Sequence, residues 1–76
     1  MILYAGGYLT FYTPDQKPEV ERVLTSPVEL RVLLTEIGIP AGEVQLVILN
    51  GKIVNLNGTQ VQNQDVVKIF PGVDGG

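Results

Sequence analysis

The apolar residues of one central stretch recur with the period of an α-helix. The stretch is TSPVELRVLLTEIGIP, residues 25–40. Four of its apolar positions follow the spacing i, i+3, i+4 and i+7, which puts them on one helix face. These positions are Leu30, Leu33, Leu34 and Ile37. Such a stripe is typical of a helix that packs one face into a core. We predict a single main helix over about 27–37.

Residues at both ends of this stretch fit the ends of a helix. Ser26 and Glu29 have the spacing of a capping box, in which each side chain accepts a hydrogen bond from a free backbone N–H. Pro27 would occupy the first helical position, where its missing N–H costs nothing. At the other end, Gly38 suits the left-handed residue that closes a helix, and Pro40 prevents continuation.

Strands are predicted on the C-terminal side of the helix. The run VQLVIL, residues 44–49, is rich in β-branched residues. Asn50-Gly51 follows it and is a strong signal for a hairpin turn, so a short return strand is expected at about 52–55. Asn57-Gly58 marks a further turn.

The last predicted strand is VVKIF, residues 66–70. Alternate side chains of a strand point to opposite faces, so Val67 and Ile69 share one face and Lys68 and Phe70 share the other. Because Lys68 is best placed in water, we expect Phe70 to lie on the solvent-facing side. Pro71 and Gly72 would end the strand.

The first 25 residues give weaker signals. We predict a strand at about 2–5, with residues 8–12 as the alternative, and irregular structure up to residue 18. A strand within 19–24 would then lead into the helix.

This order of elements predicts an α+β fold of the β-grasp (ubiquitin-like) type. A mixed sheet of four to five strands would pack one face on the helix, since one amphipathic helix cannot bury itself alone. The open sheet face would carry Val47, Leu49 and Phe70. Residues 1–70 would form this domain, and residues 71–76 a flexible tail.

The composition of the chain excludes most kinds of catalytic chemistry by its own side chains. Its 76 residues allow one domain, and they include no cysteine and no histidine. Thiolate chemistry, the usual metal ligands and the usual general base are therefore missing, so we expect neither an enzyme nor a bound cofactor or metal. The net charge of −3 argues against nucleic acid. With no signal peptide or apolar span predicted, we expect a cytoplasmic protein without membrane contact.

The sequence ends on FPGVDGG, residues 70–76, and this ending carries the candidate chemistry. Two final glycines offer no side chain to pack or to pair. A frayed chain end is one explanation. The functional explanation is that the carboxylate of Gly76 is the reactive group.

Three segments together resemble a known family. ELRVLLTEIGIP, VQLVILNG and VVKIFPGVDGG are similar to the ubiquitin-like sulfur carriers of the MoaD/ThiS type, with a resemblance over about residues 9–76. The FPGVDGG ending is closer to the small subunit of molybdopterin synthase than to the thiamine-pathway carrier. Two positions depart from the family pattern, which usually has Gly-Asp at 64–65 and Pro-Pro at 71–72.

The resemblance implies a definite chemistry for the tail. A partner adenylyltransferase, similar to ubiquitin-activating enzymes, would use ATP to adenylate Gly76. A sulfurtransferase or cysteine desulfurase would then supply sulfur for a thiocarboxylate. In the molybdopterin version, the loaded tail enters the large subunit of the synthase and donates its sulfur to a pyranopterin.

Each tail residue has a role in threading a narrow partner channel. Pro71 stops the sheet, and only glycine, here Gly72 and Gly75, lets another backbone approach closely. Val73 would be an apolar anchor inside the channel, and Asp74 would stay near its mouth. Phe70, with Val47 and Leu49, would contact the partner.

Three alternatives stay open. The chain could be a protein modifier that is conjugated through Gly76 to a lysine. It could carry sulfur for thiamine, for the tungsten cofactor or for a thiolated tRNA base. It could also be a plain β-grasp binding module whose Gly-Gly ending is accidental.

Overall fold

A computed structural model describes residues 1–72 of the chain. Within these residues one α-helix, α1 (Leu30–Ile37), lies against a five-stranded sheet. Three short 3₁₀ segments connect the main elements, at Gly7–Tyr12, Pro14–Gln16 and Ala41–Glu43. The strands are β1 (Ile2–Ala5), β2 (Glu19–Glu21), β3 (Val28–Glu29), β4 (Val44–Leu49), β5 (Lys52–Val54), β6 (Gln60–Val61) and β7 (Val66–Pro71).

The five-stranded sheet has the order β2-β1-β7-β4-β5. The first and last strands, β1 and β7, are neighbours and run parallel, while the other pairs in this sheet are antiparallel. The hairpins β1–β2 and β4–β5 therefore lie on either side of β7, and the intervening helix covers one face. This arrangement confirms the predicted α+β fold of the β-grasp type.

The core lies between α1 and one face of the sheet. The four predicted helix positions are all buried. They meet side chains from β1, β4 and β7, together with Leu9 from the first 3₁₀ segment and Ile39. The largest fully buried side chains are Leu3, Leu9, Leu30, Leu34, Ile39, Ile69, Val61 and Val67.

The helix begins at Leu30, three residues later than predicted, and Ser26 does not cap it. Val28 and Glu29 are extended instead, and they pair with Val61 and Gln60. The N–H of Leu30 donates to the carbonyl of Thr59 at 2.8 Å, so a backbone carbonyl from another segment satisfies a free donor at the true start of the helix. The predicted helix start was wrong because it depends on a partner strand, Gln60–Val61, that lies more than thirty residues downstream.

The predicted end of the helix is confirmed. Gly38 has φ 110°, in the left-handed region that glycine favours. Its N–H donates to the carbonyl of Leu34 at 3.0 Å, and the N–H of Ile39 donates to the same carbonyl at 2.9 Å. Ile39 folds back into the core and is 1% exposed.

The strand predictions are correct except at their ends. β1 and β4 have the predicted bounds, and Asn50 and Gly51 have the positive φ of the expected hairpin turn. β2 stops at Glu21, β5 stops at Val54, and β7 includes Pro71. β6 was not predicted, because two residues are too short for a periodic signal.

Candidate functional site

The candidate site is the end of β7, from which the chain continues to Gly76. β7 lies in the centre of the sheet, between β1 and β4. Its inward side chains, Val67 and Ile69, are fully buried, so packing holds the strand from below. Its last residue, Pro71, still pairs with Val44 at the start of β4. The sheet therefore holds the chain firmly up to the residue where the tail begins.

The other end of β7 is held by an Asn–Asp pair. The side-chain amide of Asn50 donates to Asp65 at 3.0 Å, and its carbonyl oxygen accepts from the N–H of Val66 at 2.9 Å. The second carboxylate oxygen of Asp65 accepts from the N–H of Gln62 at 2.8 Å. These bonds connect the β4–β5 turn to the start of β7 and fix where the strand enters the sheet. This side-chain pair was not predicted from the sequence.

The sheet face away from α1 is largely apolar, and we call it the outer face. Strand pairing orders its side chains in rows across the sheet. In one row Tyr4, Lys68, Ile48 and Ile53 are neighbours, and in the next Phe70 lies beside Leu46. Ile53 is 75% exposed and Tyr4 is 38% exposed. The outer face is defined by Ile2, Tyr4, Leu46, Ile48, Ile53, Val66, Lys68 and Phe70.

Phe70 lies on the outer face, as its alternation with Ile69 predicted. Its ring is half-buried because it lies over the backbone of Gly6, the residue after β1. An aromatic ring over a glycine in a neighbouring strand covers backbone that would otherwise be exposed. Phe70 is therefore both an apolar surface residue and a packed one.

Val47 and Leu49 do not lie on the outer face, so this part of the prediction was wrong. Val47 pairs with Ile69 and is 2% exposed, and Leu49 pairs with Val67 and packs against the core. Gln45 is the one polar residue of β4 and the register shift lies there, so periodicity could not show which of the two alternating sets points inward. The register with β7 puts Leu46 and Ile48 on the outer face instead.

The acidic residues beside the outer face lie at one edge of the sheet. Glu19 and Glu21 of β2 stand beside Tyr4 and Ile2, and Lys68 lies in the middle of the face. A hydrogen bond to Glu19, with the negative charge of that carboxylate, raises the pKa of the Tyr4 phenol above its ordinary value. The face thus presents an apolar surface with one central lysine and an acidic border at one edge.

Two of the predicted tail residues are described. Pro71 ends β7, and Gly72 follows with the side chain of Gln45 beside it. The other four, Val73, Asp74, Gly75 and Gly76, lie outside the described residues. Among residues 1–72 there is no cluster of three or more potential metal ligands.

The chain matches the model of a known protein family. The model of the ThiS family matches residues 8–76, which includes the whole tail. The chain belongs to the ThiS family. A search of curated proteins found no match to the chain.

Membership of the ThiS family indicates the general function of the chain. ThiS-family proteins are small sulfur carriers of the ubiquitin-like type and are generally not catalysts themselves. They work with an adenylyltransferase and a sulfur donor. Of the helices in residues 1–72, none has the length and apolar character needed to cross a membrane.

Proposed function

We propose that this ThiS-family protein carries sulfur as a thiocarboxylate on Gly76 and delivers it in molybdopterin biosynthesis, as the small subunit of the synthase. The preference for this pathway rests on the FPGVDGG ending. In this role the α-carboxylate of Gly76 is the reactive group, the protein acts in the cytoplasm, and ATP binds to the partner rather than to this chain.

The observation that carries the proposal is the position of β7. This central strand ends at Pro71 beside the outer face, and the family match continues to Gly76. An extended chain spans about 3.3–3.6 Å per residue, so five residues beyond Pro71 reach roughly 17 Å. A partner that contacts the outer face could therefore receive the terminal carboxylate in an active site well inside its own surface.

Activation of the tail needs no side chain from this protein. An α-carboxyl group has a pKa of about 3.5 and is ionised at neutral pH. In the partner's active site, a carboxylate oxygen of Gly76 attacks the α-phosphorus of ATP. A new P–O bond forms while the bond to pyrophosphate breaks, and the product is the acyl-adenylate.

Sulfur enters at the activated carbonyl carbon. A sulfur donor attacks this carbon, a C–S bond forms, and AMP leaves with the electrons of the broken C–O bond. With a protein persulfide from a sulfurtransferase or cysteine desulfurase as donor, a second thiol reduces the resulting acyl disulfide. The thiocarboxylate at Gly76 then enters the large synthase subunit and donates its sulfur to the pyranopterin.

Pyrophosphate exchange tests the activation step. The purified chain, an adenylyltransferase from the same genome, ATP and labelled pyrophosphate should give exchange that depends on the chain. Exchange without any later sulfur transfer to the pyranopterin in the large synthase subunit would contradict the pathway. High-mass conjugates of the chain in cell extract would favour a protein modifier instead.

The outer face is the surface we propose for the adenylyltransferase, with Phe70 as its main anchor. Aromatic side chains often dominate such interfaces, and truncation of one commonly costs 2 kcal/mol or more. Phe70→Ala should therefore weaken partner binding by about 2 kcal/mol or more, measured by calorimetric titration well below the melting temperature.

Val32→Ala is the matched control for this variant. Val32 is also an exposed apolar residue, at 48%, but it lies on α1 and not on the outer face. Its truncation should leave the affinity unchanged. Equal affinities for the Phe70→Ala and Val32→Ala variants would remove Phe70 from the interface.

A further inference from the structure

The chain turns away from the sheet at Gly6-Gly7, directly beside the end of β7. The N–H of Gly6 donates to the carbonyl of Ile69 at 2.8 Å, which extends the pairing of β1 with β7 by one residue. The 3₁₀ segment Gly7–Tyr12 then begins, and Leu9 within it is fully buried. The turn is thus fixed to the sheet on one side and to the core on the other.

Gly6 leaves room for the ring of Phe70. A Cβ atom at this position would lie 2.5 Å from Cδ1 and 2.9 Å from Cε1 of Phe70, and 3.2 Å from the carbonyl oxygen of Ile69. Carbon atoms in ordinary contact are about 3.5–4.0 Å apart, so any side chain here would move the ring by about 1 Å. The backbone of Gly6, with φ −85° and ψ 159°, suits any residue. Close approach, not backbone strain, is therefore the reason for glycine here.

Gly7 makes the corresponding contact with Pro71. Its φ is +52°, in the left-handed region, and a Cβ atom would lie 3.0 Å from Cγ of Pro71. Successive glycines therefore face successive residues at the end of β7. Together they form a seat, Gly6-Gly7, that receives Phe70 and Pro71.

The start of the tail, at Gly72, is also contacted from the side opposite the Gly6-Gly7 seat. The pairing register of β4 with β7 shifts between Val44 and Leu46, at Gln45. The side chain of Gln45 lies against Gly72, where a Cβ atom would be 3.6 Å from Oε1. Bulges of this kind redirect side chains at the end of a ladder. The last described residues of the chain are thus flanked by the seat on one side and by Gln45 on the other.

We propose that Gly6 and Gly7 are positioning residues for the activation of Gly76. By fixing Phe70 and Pro71, the seat sets the position and direction of the chain at Gly72, the last described residue. This inference rests on the proposed function, since it assumes that the tail enters a partner's active site. A displacement of about 1 Å at reacting atoms can cost up to about a hundredfold in rate. Displacement of the Gly6-Gly7 seat would therefore lower the rate of adenylation as well as the affinity for the partner.

Gly6→Ala tests the proposal, because its backbone allows alanine and the closest contacts that change are those with the ring of Phe70. In pyrophosphate exchange with the adenylyltransferase, kcat/KM should fall by about 10- to 100-fold, with kcat reduced as well as KM raised. Gly7→Asn should act in the same direction, since asparagine accepts the left-handed backbone but places a Cβ atom against Pro71. Gly42→Ala is the control, because a Cβ atom there has no neighbour within 4 Å.

Melting curves of the same variants separate positioning from folding. A purely structural role would lower the melting temperature and leave kcat and KM of the folded protein unchanged, which would overturn the proposal. Normal exchange by both folded variants would also overturn it. If Gly6→Ala does not fold, Gly7→Asn decides by the same criteria. Absence of exchange with the unaltered chain would instead contradict the proposed function.

Discussion

Deletion of Gly76 is expected to abolish ATP-dependent adenylation of the protein. One residue of extended chain spans about 3.3–3.6 Å, and the attacking oxygen must lie close to the phosphorus and in line with the leaving group. A tail shorter by one residue cannot reach that position. Addition of one residue after Gly76 should have the same effect, because it moves the carboxylate past the phosphorus. Pyrophosphate exchange with the adenylyltransferase measures both changes.

Gly75→Ala is the graded control for these length changes. It keeps the length of the tail and adds one methyl group where the partner closes on the backbone, so exchange should fall but not disappear. All three variants should have the same melting temperature as the unaltered protein, because the buried core residues of the described chain extend only to Ile69. Undiminished exchange by the chain that lacks Gly76 would refute the carrier mechanism and support a β-grasp module with an accidental ending.

Leu34→Ala is expected to remove most of the folding stability. Leu34 is fully buried on the inner face of α1, and truncation of such a leucine costs about 2–5 kcal/mol through lost burial and the cavity left behind. Native domains are stable by only about 5–15 kcal/mol, and small ones bury less of their surface. Leu33→Ala, at a position 2% exposed, should behave in the same way.

Val32→Ala provides the comparison within the same helix. Val32 is 48% exposed, so its truncation leaves no cavity and should change the free energy of unfolding little. Urea denaturation of the three variants measures the differences. Midpoints for Leu33→Ala and Leu34→Ala as close to the unaltered protein as that of Val32→Ala would contradict the packing of α1 described above.

Features set by neighbouring residues could be predicted from the sequence. The left-handed Gly38 and the Asn50-Gly51 turn depend on local backbone preferences, and the structure has both. The start of α1 depends on Gln60 and Val61, which pair with Glu29 and Val28 although they lie more than thirty residues away in the sequence. A local capping pattern competes with this strand pairing. The pairing is favoured, because the N–H of Leu30 then donates to the backbone carbonyl of Thr59.

Prediction from local sequence was limited in the same way at the outer face of the candidate site. Lys68 marked the solvent side of β7, so Phe70 was correctly placed. β4 has no charged residue to mark its faces, and Val47 was assigned to the wrong one. Its true orientation follows from pairing with Ile69 across a long connection. The contact of Phe70 with Gly6 is equally non-local, although a Gly-Gly pair after the first predicted strand was visible in the sequence.

The measurement that tests the central claim most directly is the intact mass of the protein purified from its own host. We predict a chain that ends at Gly76, with part of the population heavier by the difference between one sulfur and one oxygen atom. Fragmentation should locate this difference at Gly76. A chain that continues beyond Gly76, or a sulfur atom located elsewhere, would contradict the account, and so would a tail found only in isopeptide linkage to other proteins.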